Sequence, residues 1–312
     1  MLKQFLKKIL LLIPQLLILS FLIFLLPVPV PPDLVGVERF NPMADIPILL
    51  RYWNWLVGIF GYGYFGWSWQ YGMPVVKVVG QWLPNTFRLA FFTLVMTYGI
   101  GIPLGIISGR HSGTWKERVA LTIAQMGSSL PAFTLALILI LTLGLRFRWF
   151  PTSGSITPGM VRENVSFFTY HLTRIRHVIL PATSLAIVSL IIPLKQLRSE
   201  IVDIERQEFV TLARSKGATE KQIFKGHILK NSFISVIGSF PIQLATIVTG
   251  SIIIETLFAF SGIGHLFLMS MYFGDLELTN MLVLVFGLII LTASFISDVW
   301  LMLIDPRIRI GK

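Results

Sequence analysis

Cysteine is absent from all 312 residues, so disulfides, thiolate metal sites and a cysteine nucleophile are excluded. Charge is scarce at 13%, and acidic residues are scarcer, with 15 Asp and Glu against 26 Lys and Arg. No G-x-x-x-x-G-K-[S/T] loop occurs. The one Gly-Lys pair is Gly311-Lys312, so any ATP that serves this chain is hydrolysed by another polypeptide. No H-E-x-x-H or G-x-S-x-G pattern occurs, and the five histidines are scattered, which leaves no metalloprotease, serine hydrolase or proton-relay signature.

Apolar residues fill the space that charge leaves. They make up 54% of the chain and raise the mean hydropathy to +0.76, which is too high for a soluble domain of this size. Six windows approach the roughly 20 apolar residues needed to cross a ~30 Å hydrocarbon core. They lie near residues 9–26, 86–107, 119–143, 178–194, 236–258 and 280–303. The first lacks a small-residue cleavage site and runs into Pro27-Val28-Pro29, so it reads as an uncleaved anchor. Pro14, Pro103, Pro131, Pro181 and Pro241 interrupt the windows. Lipid tolerates such breaks where neighbouring helices satisfy the freed backbone groups, which predicts an all-α bundle.

The net charge of +11 sits beside apolar segments, where Lys and Arg orient a membrane protein and meet anionic lipid; nucleic acid is not the implied partner. Lys3, Lys7 and Lys8 place the N-terminus in the cytoplasm, and Arg307, Arg309 and Lys312 place the C-terminus there. Arg110, Lys116 and Arg118 mark an inner loop after the second span. The loop 195–235 carries eight basic residues, whereas 259–279 carries none and belongs outside. One segment departs from the rule. Residues 144–177 fall outside yet carry Arg146, Arg148, Arg162, Arg174 and Arg176, which points to an acidic docking partner or a folded outer cap. Residues 27–85 form a long outer loop whose stretch 61–74, GYGYFGWSWQYGMP, suits a membrane–water interface. A surface for an external protein and a direct solute contact are the alternatives.

The most informative stretch is the charged island 203–231, DIERQEFVTLARSKGATEKQIFKGHILKN, set between two apolar spans. Residues 200–215 are compatible with a helix in which Phe209, Leu212 and Ala213 share a face. Gly217 stands where a left-handed residue ends a helix, and Thr219 with Gln222 forms a capping box for a second one. The result is a short, stiff helix-turn-helix.

This island resembles the cytoplasmic loop of ABC-importer permeases of the oligopeptide/dipeptide branch. The residues that carry the likeness are Thr211-Leu212-Ala213-Arg214-Ser215-Lys216-Gly217 and then His227-Ile228-Leu229-Lys230-Asn231. Supporting matches are Gly63-Tyr64-Phe65-Gly66-Trp67-Ser68, Pro74-Val75, Leu83-Pro84-Asn85-Thr86, Glu255 to Gly264 and Asp305-Pro306-Arg307-Ile308-Arg309. Three positions depart from the family pattern: Thr211 replaces its glutamate, with Glu208 one turn earlier, Lys230 replaces the proline that usually ends the I-x-L-P portion, and Ser261 replaces a second proline. The resemblance implies a type I importer permease with six spanning helices. An N-terminal helix and outer loop would occupy 1–85, and a five-helix core with a coupling loop at 195–235 would occupy 86–312.

It further implies a bacterial plasma-membrane subunit without cofactor or metal. Its partners would be a homologous second permease, two ATP-hydrolysing subunits and an external peptide-binding protein. Glu208, Thr211, Leu212, Ala213, Arg214, Lys216, Gly217 and Ala218 would contact the ATPase, with Ala213 and Gly217 as the small positions that permit close approach. Glu255, Phe258, Gly262 and Gly264 are candidates for a gate or outer mouth, and Glu255 is equally suited to capping a local backbone break. Asp298 is expected to pair with a nearby arginine. The cargo stays open among dipeptides, oligopeptides, nickel chelates and other peptide-like solutes. A secondary carrier is the alternative class, although matched broken helices and intramembrane ion ligands are not evident. A membrane enzyme lacks its motif.

Overall fold

The computed structural model describes residues 2–25 and 47–304. Thirteen α-helices and one two-stranded hairpin follow in the order α1 (Leu2–Leu25), α2 (Ile48–Tyr62), β1 (Trp67–Ser68), β2 (Met73–Pro74), α3 (Val75–Arg110), α4 (Trp115–Ser129), α5 (Ala132–Leu139), α6 (Phe167–Ser189), α7 (Ile191–Glu205), α8 (Glu208–Ser215), α9 (Glu220–Ile223), α10 (Lys230–Gly250), α11 (Ile252–Leu257), α12 (Ile263–Phe273) and α13 (Leu276–Ile304). π-helical turns at Ile140–Arg146 and Phe224–Leu229 extend α5 and join α9 to α10.

Among the described residues, four helical stretches are long and apolar enough to cross a membrane: Val75–Arg110, Phe167–Glu205, Glu220–Leu257 and Leu276–Ile304. Trp115–Ser129 and Ala132–Arg146 make a fifth if counted together, bent by 91° at Pro131. Proline lacks the N–H that would continue the helix, so the fold breaks there. In α1 the apolar part is the shorter Leu10–Leu25. Exposed Leu10, Ile18, Phe91, Ile123, Leu141 and Ile253 give the bundle an apolar exterior suited to lipid.

The helices outrun the hydropathy windows. The second span begins at Val75, so residue 85 lies inside a helix and not at the end of a loop. The helices expected at 178–194 and 236–258 run inward as α7 and α9–α10, and only residues near 206–219 project from them. Their extensions are amphipathic and charged, and a hydropathy window registers only apolar length. Residues 26–46 and 305–312, with Arg307, Arg309, Lys312 and the Asp305–Arg309 motif, lie outside the described residues, as do the side chains of Lys3 and Lys7.

Glycines set the central packing. Gly101, Gly105 and Gly109 recur every fourth residue on α3 and face Pro193, Leu194, Leu197 and Ile201 of α7. A Cβ on Gly109 would stand 2.8 Å from the Ile201 Cβ, and one on Gly105 would stand 3.1 Å from the Leu194 carbonyl. Helix association in lipid relies on such close approach, because lipid tails are as apolar as leucine. Outside this seam, α1 lies on α13, with Leu19 against Gly287. Lys8 pairs with Asp298 at 2.7 Å, so the partner of Asp298 is a lysine on the first helix, reached across the bundle, and not an arginine.

The described part of the long loop expected at 27–85 is structured. Tyr52 of α2 packs against Phe21 and Phe24 of α1, and its hydroxyl lies 2.6 Å from the Ser20 hydroxyl. The hairpin is fastened to the start of α13 through buried Asp275, which accepts from the Ser68 hydroxyl and, at 3.3 Å each, from the Gln70 and Leu278 N–H groups. Burial, with Asp275 nearby, raises the Tyr71 phenol above its ordinary pKa.

Candidate functional site: the coupling island and the Glu255 latch

α7 ends at Glu205, and Arg206 and Gln207 turn the chain into α8. This break replaces the continuous 200–215 helix expected from the sequence, and it changes which residues face inward. Val210 is fully buried, and Phe209 and Ala213 pack beside it onto Ile201, Ile204, Ile223 and Ile228. Leu212 was expected on that face but is 55% exposed. The island therefore has an apolar root shared with α7 and α10, and a free apolar tip.

α8 ends as its sequence requires. Gly217 adopts φ +82°, a left-handed conformation that costs glycine little. Its N–H donates to Arg214 O at 3.0 Å, and the Ala218 N–H donates to Ala213 O at 3.2 Å. These bonds make a Schellman ending that satisfies two orphan carbonyls. Two residues later the Thr219 N–H donates to the Gln222 Oε1 at 2.9 Å, while the Gln222 N–H donates back to the Thr219 hydroxyl at 3.4 Å, closing the capping box.

Arg214 bridges the elements. Its Nε and Nη2 donate to the two oxygens of Glu220 at 2.8 and 3.2 Å, and Glu205 lies 3.6 Å away. Glu220, with Glu205 beyond it, raises the guanidinium's pKa further. Solvent-exposed pairs of this kind add little stability, but they fix the angle between α8 and α9.

Of the eight island residues singled out from sequence, Glu208, Thr211, Leu212, Lys216 and Gly217 are open to solvent. Arg214 is occupied by its own chain's carboxylates. Ala213 and Ala218 are partly buried against the island's apolar cluster. Gly217 has open space around it, since nothing of this chain lies within 4 Å of where its Cβ would stand.

Sequence reasoning missed the ties that join the island to the bundle. Arg198 donates through Nε to Glu117 Oε1 at 2.7 Å, with Nη2 2.6 Å from the same oxygen. Glu117, nearly buried, also accepts from the Gly113 N–H at 2.6 Å. Arg110 lies over Phe224, 5.1 Å from the ring centre. Residues read as positive-inside markers thus fasten α3, α4, α7 and the island together; their sequence separations concealed the pairing.

Glu255 is fully buried. It accepts from the Thr86 and Ser251 hydroxyls at 2.8 and 2.9 Å, and from the N–H groups of Gly264 and His265 at 2.7 and 3.1 Å. A carboxylate at the first N–H groups of α12 meets orphan donors and the positive end of the helix dipole. A Cβ on Gly262 would stand 2.4 Å from the Glu255 carboxyl carbon, and one on Gly264 would stand 2.7 Å from the Ile252 Cα. Phe258 is buried too, and its carbonyl accepts from the Gly154 N–H at 2.8 Å. All four residues are buried in this chain, and the hydrogen bonds to Glu255 tie α3 and α11 to the start of α12. Among the described residues, no group of three or more acidic or histidine side chains is placed to hold a metal ion.

Residues 101–310 match the family model described as a binding-protein-dependent transport system inner membrane component. The chain belongs to this family. A putative peptide transport system permease protein of Brucella abortus (strain 2308) is 27% identical, covering 97% of this chain and 98% of its own. The oligopeptide transport system permease protein AppB of Bacillus subtilis is 29% identical, over 88% of this chain and 84% of its own. The glutathione transport system permease protein GsiC of Pectobacterium atrosepticum is 27% identical, over 99% of each. Among solved structures, the MetNI methionine ABC transporter aligns with a TM-score of 0.57 and 15% identity, over 73% of this chain and 97% of that chain. An amino acid ABC transporter aligns at 0.54 and 16%, over 73% and 94%. The fold is that of ABC-importer permeases, and the chain is a multi-pass membrane subunit whose family implies ATPase and binding-protein partners.

Proposed function

We propose that this chain imports peptides as one of two homologous permeases, with two ATP-hydrolysing subunits at its inner face and an external peptide-binding protein at its outer face. The N- and C-termini are cytoplasmic in this reading. Residues 86–312 form the working core, with 1–85 as an N-terminal anchor and outer cap. The observation that carries the proposal is the island's construction. A capped helix-turn-helix roots Val210, Ile223 and Ile228 in the same apolar cluster as α7 and offers Glu208, Thr211, Leu212, Lys216 and Gly217 to a partner. A lever must be stiff at its root and free at its tip, and a loop that served only orientation needs neither.

ATP-driven closure of the partner subunits moves this lever and, through α7 and α10, the spanning helices. Glu255 and its glycines hold the joint between α11 and α12 rigid during that movement. Co-purification of the intact assembly, followed by uptake of labelled di- and oligopeptides into proteoliposomes with ATP supplied on the ATPase side, tests the reading. ATP-dependent peptide uptake is expected. Uptake of a nickel chelate alone would reassign the cargo, and uptake driven by an ion gradient without ATPase subunits would overturn the class.

A further inference from the structure

Arg88, in the first half of α3, and Arg174, in the first half of α6, converge on one neutral atom. Arg88 Nη1 donates to the Asn85 Oδ1 at 2.9 Å, and Arg174 Nη2 donates to the same oxygen at 2.6 Å. Asn85 is buried, and its own amide donates to the Ser261 carbonyl at 2.7 Å, which holds that oxygen in place. Arg174 also donates to the Tyr170 hydroxyl at 3.2 Å and lies over that ring, while its Nε is buried without a hydrogen-bond partner. Among the described residues, neither guanidinium is paired with a carboxylate.

Each guanidinium carries five donors in a rigid fork, and the one shared amide oxygen engages few of them. Two like charges held on one oxygen repel, and an oxyanion placed between them removes that repulsion. Arg88 and Arg110 lie about six turns apart on α3, roughly 33 Å at 1.5 Å per residue, which is close to one hydrocarbon thickness. With Arg110 at the inner boundary, the pair sits at the outer one. An arginine facing the lipid core is costly, so a seam that holds two of them faces water or protein.

We propose that Arg88 and Arg174, oriented by Asn85, form a cradle for the carboxylate of the transported solute near the outer end of the translocation path. The proposal rests on the peptide-import reading above. Planar guanidinium forks match carboxylate oxygens two at a time. A lipid phosphate offers similar oxygens, but the pair lies in the seam between two helices around a buried asparagine, and snorkelling side chains spread along the outer surface instead. The next residue, Thr86, belongs to the Glu255 latch, so solute that draws the arginines off Asn85 acts one position from the joint that holds α12.

The test uses the intact assembly in zwitterionic-lipid membranes. Uptake of a tripeptide and of its C-terminal amide is compared in wild type, Arg88→Gln and Arg174→Gln. Any discrimination by the external binding protein is common to all three, so the informative quantity is the change in the acid-to-amide ratio of uptake efficiency. A fall of about ten-fold or more in either variant, equivalent to 1.4 kcal/mol, is expected. An unchanged ratio overturns the proposal, whether or not total uptake drops.

A second measurement does not depend on peptide transport: thermal unfolding of the assembly with N-acetylalanine or its amide. Stabilisation by the acid alone, lost in the variants, supports the cradle even if no peptide is transported, an outcome that would overturn only the cargo reading. Arginine-dependent stabilisation by added phosphatidylglycerol, with none by the acid, assigns the site to lipid and overturns its assignment to solute.

Discussion

Two glycines illustrate how far a single residue constrains this chain, and for different reasons. Gly217 is held at φ +82° with open space around it, so its replacement strains the backbone by about 1–2 kcal/mol and places bulk on the proposed contact face. Gly217→Leu should leave the protein inserted and the ATPase bound or weakened, while ATP-dependent uptake drops several-fold. Retention of full uptake would remove Gly217 from the coupling contact. Gly262 lacks room instead of freedom, because its Cβ would meet the Glu255 carboxylate and the Thr86 hydroxyl. Gly262→Ala should cost about 1–3 kcal/mol through overpacking, read as a lower thermal midpoint of the purified assembly. Glu255→Ala removes the acceptor for four donors and should destabilise by more, since each buried unsatisfied donor costs ~1–3 kcal/mol. If Glu255 instead formed an open outer mouth, the same change would alter uptake and leave the midpoint in place.

At the scale of helices, the seam between α3 and α7 and the Arg198–Glu117 tie join the island to the bundle, and under the proposed function they are the route by which its motion reaches the spanning helices. Gly105→Leu should separate the seam and reduce assembly yield, whereas Gly99→Leu, on the same helix with nothing near its Cβ position, should not. Comparable yields from both would show that close approach is unimportant there. Removing either partner of Arg198–Glu117 leaves the other charge unpaired, Glu117 buried or Arg198 half-buried. Arg198→Met and Glu117→Gln are expected to be non-additive in a double-mutant cycle by more than ~0.5 kcal/mol. These elements also show where sequence reading stops. The capping box and the glycine ending at Thr219 and Gly217 were legible because they are local, made by residues three to six apart. The small-residue spacing of Gly101, Gly105 and Gly109 was present in the sequence, but it gains meaning only when α7 is known to face it.

For the whole molecule, orientation is the prediction open to the simplest test. The chain has no cysteine, so single cysteines report sidedness without background. Ser215→Cys should react with a membrane-impermeant maleimide only from the cytoplasmic side, and Tyr62→Cys only from the outside. Reaction of Ser215→Cys from the outside would invert the topology and remove the lever from any cytoplasmic ATPase. The five outer arginines that violate the charge rule find partial explanations in the folded cap. Arg174 is held by Asn85 and Tyr170, and Arg176 donates to the Trp149 carbonyl at 3.2 Å.

The amino-acid sequence alone determined that this is a helical membrane protein with a charged island on one side, because hydropathy and charge are sums over neighbours and need no partner. It also set the ends of the island's helices, since caps are made within one turn. Tertiary structure decided what those signals could not. It turned Leu212 outward by breaking the helix at Arg206, paired Asp298 with Lys8 from the opposite end of the chain, and placed Glu255 on the donors of α12. Each of these depends on which surfaces meet in the fold, and periodicity specifies a face without naming what covers it.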